Sequence, residues 1–322
     1  KKIAIFIDTH KRSGGVYQEI LYNIKRIKKY NKENLEFVII LTSKNLDINL
    51  TNVEYEIHYL PINPIDRYIC FLRNYNPTIR RLKNKFFFRN KIEIFLKKNN
   101  IDIVFFPNAS PFAQYLENTK YIINIPDVNH REDLEFPEFV DNAEFLRKDE
   151  LFNNSLPKAL AVITYSVITK KKISFFYNVP AERIIVINQS PSNAIDNFVA
   201  KDEKLQTEVR KKYNLPKKYI FYPAMYFPHK NHKNLIDSLL ILKKEYKINL
   251  KIVFCGNDPG YLNNLKNYAK KINFIDDIRF LDFIDDHELP YLYLDSLCLV
   301  MPTLAGPTNI PPWEAFKMNV PV

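Results

Sequence analysis

Short apolar runs recur along the chain, separated by stretches of helical periodicity. In the first part the runs are Ile3–Asp8, Phe37–Thr42, Tyr55–Leu60, Ile103–Phe106, Tyr121–Ile125, Ala161–Thr164 and Ile184–Ile187. Their length and β-branched content predict buried strands. Between them Val16, Ile20, Ile24 and Ile27 recur at helical spacing, and Ser166 is placed to cap a helix over Val167–Phe176. From about Asn188 to Asp202 the chain turns polar, with Pro191, Ser192 and Asn193 in sequence. A second alternating set follows at Tyr219–Tyr222, Leu250–Cys255, Ile278–Phe280 and Leu297–Met301. Strand–helix alternation on both sides of a polar break predicts an α/β protein of two Rossmann-like, doubly wound domains with parallel sheets. The expected domains are residues 1–190 and 203–322. The second holds only four predicted strands and ends on a helix, so it reads as incomplete.

Composition adds limits. With 322 residues and 46% hydrophobic content the chain can bury two cores. No apolar run reaches 18 residues, so no membrane-spanning helix is expected. No signal peptide is read at the start. Cys70, Cys255 and Cys298 are isolated, which favours a reducing, cytoplasmic setting. The net charge of +11 is uneven: ten Lys/Arg and one acid, Glu93, lie between Arg67 and Lys98. Aromatics are interleaved there. Such a stretch suits peripheral docking on an anionic membrane surface. A solvated basic face with aromatics packed inward fits equally well. Cations with aromatics also serve single-stranded nucleic acid, but no recognition-module signature accompanies them. No nucleic-acid partner is expected.

Two strand-to-helix loops carry the strongest chemistry. Tyr219–Leu235 reads YIFYPAMYFPHKNHKNL, and Leu299–Val322 reads LVMPTLAGPTNIPPWEAFKMNVPV. In a parallel sheet both loops leave carboxyl ends of strands and face one crevice. Lys230 lies just before a helix expected over Asn234–Glu245, where free N–H groups and the dipole favour an anion. A solvated helix cap is the alternative. Glu314, expected in the first turn of the last helix, can grip two vicinal hydroxyls or simply complement the helix dipole. Gly256 allows close backbone approach to a ligand or forms a plain tight turn. Gly14 and Gly15 follow the first strand without a full G-x-G-x-x-G pattern. Asp127, His130, Arg131 and Glu132 follow another strand, as acid–base groups or as a loop network. His229 and His232 share a helical spacing, but no third ligand is evident, so no metal is expected.

These residues resemble the retaining GT-B glycosyltransferases of family four, the group 1 glycosyl transferases. The resemblance rests on YPAMYFPHKNHKNL, FLDFIDDHELPYLY, MPTLAGPTNIPPWEAFKMNVPV and DVNHREDLEFPEF, in that family's order of parts. It implies two facing Rossmann-like domains and a nucleotide-diphosphate sugar as donor substrate in the second. A glycan or lipid-linked acceptor would sit in the first, with no cofactor and no required metal. It places Lys230 on the donor diphosphate and Glu314 on the donor ribose, as the second glutamate of a Glu-x7-Glu motif. Thr308, Asn309, Ile310 and Pro311 would meet donor phosphate or sugar through backbone groups. Phe283 and Ile284 would lie beside the base, Gly15 would approach the phosphate, and Asp127 and His130 would line the sugar pocket.

Some positions depart from that pattern. Gly306 stands at the motif's first glutamate, Ala224 at its usual arginine, Pro126 at a frequent histidine and Asp282 at a common glycine. The resemblance also implies further strands and a crossing helix beyond Val322. Two other functions stay open: a nucleotide-sugar epimerase, and a degenerate, non-catalytic membrane- or polyanion-binding protein of the same fold.

Overall fold

The computed structural model describes residues 1–8, 20, 23–24, 27, 34–43, 55–75, 90–199, 201–306 and 309–322. These divide into two compact units, one from residues 1–131 and 143–188, the other from residues 132–142 and 189–322.

The first unit is built on seven strands. They are β1 (Lys2–Ile7), β2 (Glu36–Leu41), β3 (Glu56–Tyr59), β4 (Ile103–Phe106), β5 (Lys120–Asn124), β6 (Ala161–Thr164) and β7 (Ile184–Val186). The spatial order is β3-β2-β1-β4-β5-β6-β7, with every neighbouring pair parallel. The direction of winding reverses between β1 and β4, where Ile5 pairs with Ile39 on one side and Phe105 on the other.

Strand β1 shows why the apolar runs are continuous. Ala4 and Phe6 pack on one face with Val38, Ile40, Val104 and Phe106. Ile5 and Ile7 pack on the other with Ile39 and Leu41. Successive side chains point to opposite faces, and a parallel sheet covered on both sides needs both apolar. Ile20 and Ile24 are buried on this second face, whereas Val16 lies outside the described residues.

The longer described helices of this unit are α1 (Pro64–Tyr75), α2 (Lys91–Lys98), α3 (Glu144–Ser155) and α4 (Val167–Tyr177). Ser166 caps α4 as expected, its hydroxyl accepting the Thr169 amide at 3.0 Å. Of the basic stretch from Arg67 to Lys98, residues 76–89 lie outside the described residues. Within the described part, Lys91 is bound to Asp66 at 2.9 Å, and the Arg67 guanidinium lies over the Phe112 ring.

The second unit holds a four-stranded parallel sheet in the order β10-β9-β8-β11. Its strands are β8 (Tyr219–Pro223), β9 (Lys251–Cys255), β10 (Ile278–Leu281) and β11 (Cys298–Leu299). Alternation again splits each strand between two cores. Tyr219 and Phe221 join Val253, Cys255 and Leu299 on one face, while Ile220 and Tyr222 join Ile252, Phe254 and Ile278 on the other. The longer helices are α5 (Glu203–Lys212), α6 (His232–Glu245), α7 (Leu262–Lys271), α8 (Leu289–Leu294) and α9 (Ile310–Lys317). The apolar run Leu297–Met301 gives only a two-residue strand. Its ladder runs to β8, and beyond it the Leu299 amide turns to the Pro321 carbonyl at 2.8 Å.

Residues 132–142 fold with this second unit although they lie within the expected first domain. The cause is local: Phe136, Phe139 and Glu138 pack around His229. Among the described residues no helix is long and apolar enough to cross a membrane.

Candidate functional site

The winding of the second sheet reverses between β8 and β11, which are hydrogen-bonded neighbours through Ile220–Cys298 and Phe221–Leu299. Open α/β sheets bind ligands at the carboxyl ends of strands at such a reversal. The two loops singled out in the sequence leave these two strands.

The loop after β8 makes a 3₁₀ turn at Pro228–Lys230. The Tyr222 hydroxyl donates to the Lys230 carbonyl at 2.9 Å and holds the turn against its own strand. Asn231 adopts a left-handed conformation with φ 59° and is the residue before α6. Its side chain does not cap the helix. It donates instead to the Pro302 carbonyl of the other loop at 3.0 Å. The first amides of α6 therefore lack a side-chain cap, the condition under which a helix start receives an anion.

The loop after β11 is tied to the first. The Leu304 amide donates to the His229 carbonyl at 2.9 Å, and the Thr303 hydroxyl lies 2.9 Å from the Ala305 carbonyl. Gly306 has φ 125°, a conformation that favours glycine. Asn309 precedes α9 and likewise makes no side-chain cap. Its amide nitrogen lies 3.4 Å from the Gly306 carbonyl, while its Oδ1 receives the Lys230 ammonium at 3.4 Å. Ile310 opens α9 and Pro311 occupies its first turn, where a missing N–H costs nothing. Thr308 lies outside the described residues. Lys230, Asn309, Ile310 and Pro311 are thus brought to one place.

Glu314 sits differently from the expectation. It lies in the second turn of α9, not the first, so it does not serve the helix dipole there. It is 4% exposed. The Tyr293 hydroxyl donates to Oε2 at 2.6 Å, and the Ser192 amide donates to Oε1 at 3.3 Å. Burial raises its pKa, against the hydrogen bonds from Ser192 and Tyr293. The buried Cys255 thiol and Tyr293 phenol are both pushed up, chiefly by burial and then by this carboxylate.

Gly256 follows β9, and its amide donates to the Leu281 carbonyl at 3.3 Å. A Cβ there would stand 2.5 Å from the Ala224 carbonyl oxygen. The close approach this glycine permits is to the chain's own backbone at Ala224. Phe283 is 40% exposed, whereas Ile284 is buried in the core with Ala315 and Met318. Side chains of adjacent residues have gone to opposite environments.

The two histidines of the β8 loop do not act as a pair. His229 is enclosed by Phe136, Phe139 and Phe227, with Glu138 on Nδ1. His232 opens α6 and packs among Tyr222, Tyr226 and Phe254, and burial lowers its pKa to about 3.

In the first unit, His130 has no exposed surface. Its Nε2 lies 2.9 Å from the Tyr177 hydroxyl, and that hydroxyl lies 3.1 Å from Asp149. Arg131 also binds Asp149, at 2.5 Å. The His130 ring meets Phe152 and Phe145 edge-on. Burial lowers its pKa to about 4, with the Lys148 charge adding to the shift. Asp127 accepts the Asn129 amide at 3.2 Å in a local turn. Gly15 lies outside the described residues.

Sequence reasoning did not single out Tyr293, Ser192 or Glu138. Each is long-range in the chain from the group it holds. Glu138 does fall inside the segment DVNHREDLEFPEF, but nothing local distinguishes it from Glu132 or Glu135.

Residues 206–322 match the family described as glycosyl transferases group 1. This stretch is similar to that family. The resemblance read from the loops holds where the Lys230 and Glu314 segments lie. One similar protein is the "O-antigen chain mannosyltransferase RfbU" of Salmonella typhimurium, 28% identical over 172 residues. That match covers 53% of this chain and 44% of the relative, so the chain matches less than half of that protein's length.

Among solved structures, a glycosyltransferase from Rickettsia africae aligns with a TM-score of 0.68 at 18% identity. It covers 99% of this chain and 77% of its own. Anabaena Alr3699/HepE, solved in complex with UDP, aligns at 0.64 and 15% identity, covering 100% of this chain and 80% of its own. At such identities the likeness establishes the fold. The chain has the α/β architecture of GT-B glycosyltransferases, with two parallel sheets.

Proposed function

We propose that this protein is a glycosyltransferase that moves a sugar from a nucleotide-diphosphate donor to a glycan or lipid-linked acceptor in surface polysaccharide assembly. The observation that carries this reading is the meeting of Lys230 with Asn309 at the β8–β11 reversal, beside two helix starts without side-chain caps. A cation beside the uncapped start of α6 suits a diphosphate, while α9, with Pro311 and Pro312 in its first turn, offers fewer N–H groups. As the bond to the sugar breaks, negative charge grows on the leaving diphosphate, and Lys230 with the helix starts would stabilise it. That supply of positive charge is the basis for proposing turnover without a divalent metal. Retention of anomeric configuration belongs to the same proposal through the family resemblance. Mannose is the first sugar to test, since a similar protein is named as a mannosyltransferase.

Glu314 enters this reading through its geometry. Its two oxygens are engaged by Tyr293 and Ser192 within the core. It would meet the donor ribose only by exchanging one of those bonds, and its other role is to hold Ser192 and α9 together. Docking of the first unit on an anionic membrane surface is a separate part of the proposal, motivated by the charge between Arg67 and Lys98.

The test is product analysis with radiolabelled nucleotide sugars and a membrane or glycan acceptor fraction, with chelator present. Transfer to the acceptor with retention supports the proposal. Release of an epimer without acceptor would assign an epimerase instead. Binding of anionic vesicles without any turnover would favour the non-catalytic alternative.

A further inference from the structure

We propose that Glu138 is a positioning residue for the Lys230 loop, setting through His229 the placement of both loops at the β8–β11 reversal. This rests on the reading of Lys230 as the diphosphate contact. Glu138 belongs to residues 132–142, which fold with the second unit. Its Oε1 accepts the His229 backbone amide at 3.0 Å and also engages Nδ1 of the same residue. The two side chains are 8% and 9% exposed, so this pairing is largely shielded from water. Three rings complete the enclosure of the imidazole: Phe139 at 5.0 Å, Phe227 at 5.5 Å and Phe136 at 6.1 Å between centroids.

His229 is in turn held from the other side. Its carbonyl accepts the Leu304 amide at 2.9 Å, which fixes the loop leading to Gly306. The next carbonyl, that of Lys230, accepts the Tyr222 hydroxyl at 2.9 Å. The amide of His229, its carbonyl and the carbonyl of Lys230 are therefore all bound. The Lys230 backbone has little freedom left, and only its side chain must be ordered when an anion binds. Preorganisation of this kind raises affinity by lowering the ordering cost. Glu138 does this without touching the ligand.

The experiment compares the full chain with its Glu138→Ala, Glu138→Gln and His229→Phe variants. Nucleoside diphosphate affinity, thermal midpoint and amide NMR shifts are measured for each. Glutamine keeps an oxygen for both His229 donors, so Glu138→Gln should bind within about twofold of the parent. Glu138→Ala and His229→Phe should weaken binding by about five- to tenfold and shift the Leu304 and Lys230 amides. A purely structural role would lower the thermal midpoint and leave affinity and the Leu304 amide unchanged, which would overturn the inference. If the parent binds no nucleoside diphosphate, the donor-site reading falls on its own. The Leu304 and Lys230 amide shifts still decide whether Glu138 places the loops.

Discussion

The Tyr293 hydroxyl donates a 2.6 Å hydrogen bond to Glu314, and both side chains are buried. The carboxyl pKa is raised from its ordinary value of 4.5, with burial the largest cause. Folding then favours the protonated form. The folded state holds a proton that the unfolded chain has released, so stability falls as pH rises from about 4.5 through the raised folded value. Glu314→Gln keeps an acceptor for Tyr293 and removes the titration. The urea midpoint of the parent relative to the variant should fall across this range, a difference from which the opposite contributions of His130 and His232 cancel. Parallel curves would contradict the raised carboxyl.

Removing the donor is the complementary experiment. Tyr293→Phe leaves Oε2 of Glu314 without its partner in a buried site. Loss of one partner of a buried pair costs about 1–3 kcal/mol. Denaturant unfolding should show that loss, and an unchanged midpoint would mean that the hydroxyl contributes nothing there.

His130 and His232 make the opposite pH prediction. Burial lowers them to about 4 and about 3, below the ordinary 6.5. Between the ordinary and lowered values the unfolded chain binds more protons than the folded one. Stability is therefore lost as pH falls, at about 1.4 kcal/mol per pH unit for each histidine. Imidazole resonances assigned to these two should begin to move only below about pH 5. Titration near the ordinary value would show that one of the rings is hydrated.

Two glycines separate packing from conformation. Gly256→Ala would set a Cβ 2.5 Å from the Ala224 carbonyl oxygen, and the backbone must move. A loss of about 1–3 kcal/mol is expected by thermal or denaturant unfolding. Gly306→Glu restores the charge of the family motif at a position with φ 125°. Backbone strain of about 1–3 kcal/mol should accompany it. Full stability in Gly306→Glu would show that the loop relaxes to accept a side chain.

The eleven strands were legible because a parallel sheet buried on both faces writes itself as continuous apolar runs. Ala4 to Ile7 serves two cores at once. The Ser166 cap was equally local. Strand-to-helix loops pointed to Lys230 and Asn309 for the same reason: strand ends at a reversal are a property of order along the chain. What the sequence hid was side-chain choice at long range. Glu314 binds Ser192 and Tyr293, 122 and 21 residues away. Glu138 holds His229 across 91 residues. Ile284 and Phe283 look alike in sequence, yet one enters the core and the other meets solvent. No periodicity distinguishes them, since that segment belongs to no helix or strand.

The most direct measurement is calorimetric titration of the full-length protein, in chelator, with GDP, UDP and ADP and their mannose or glucose conjugates. The account predicts that one nucleoside diphosphate binds and that Lys230→Ala weakens it by about tenfold or more, as loss of a charged hydrogen-bond donor requires. Binding that is indifferent to Lys230→Ala, or no binding to any of the three, would contradict a donor site at the β8–β11 reversal.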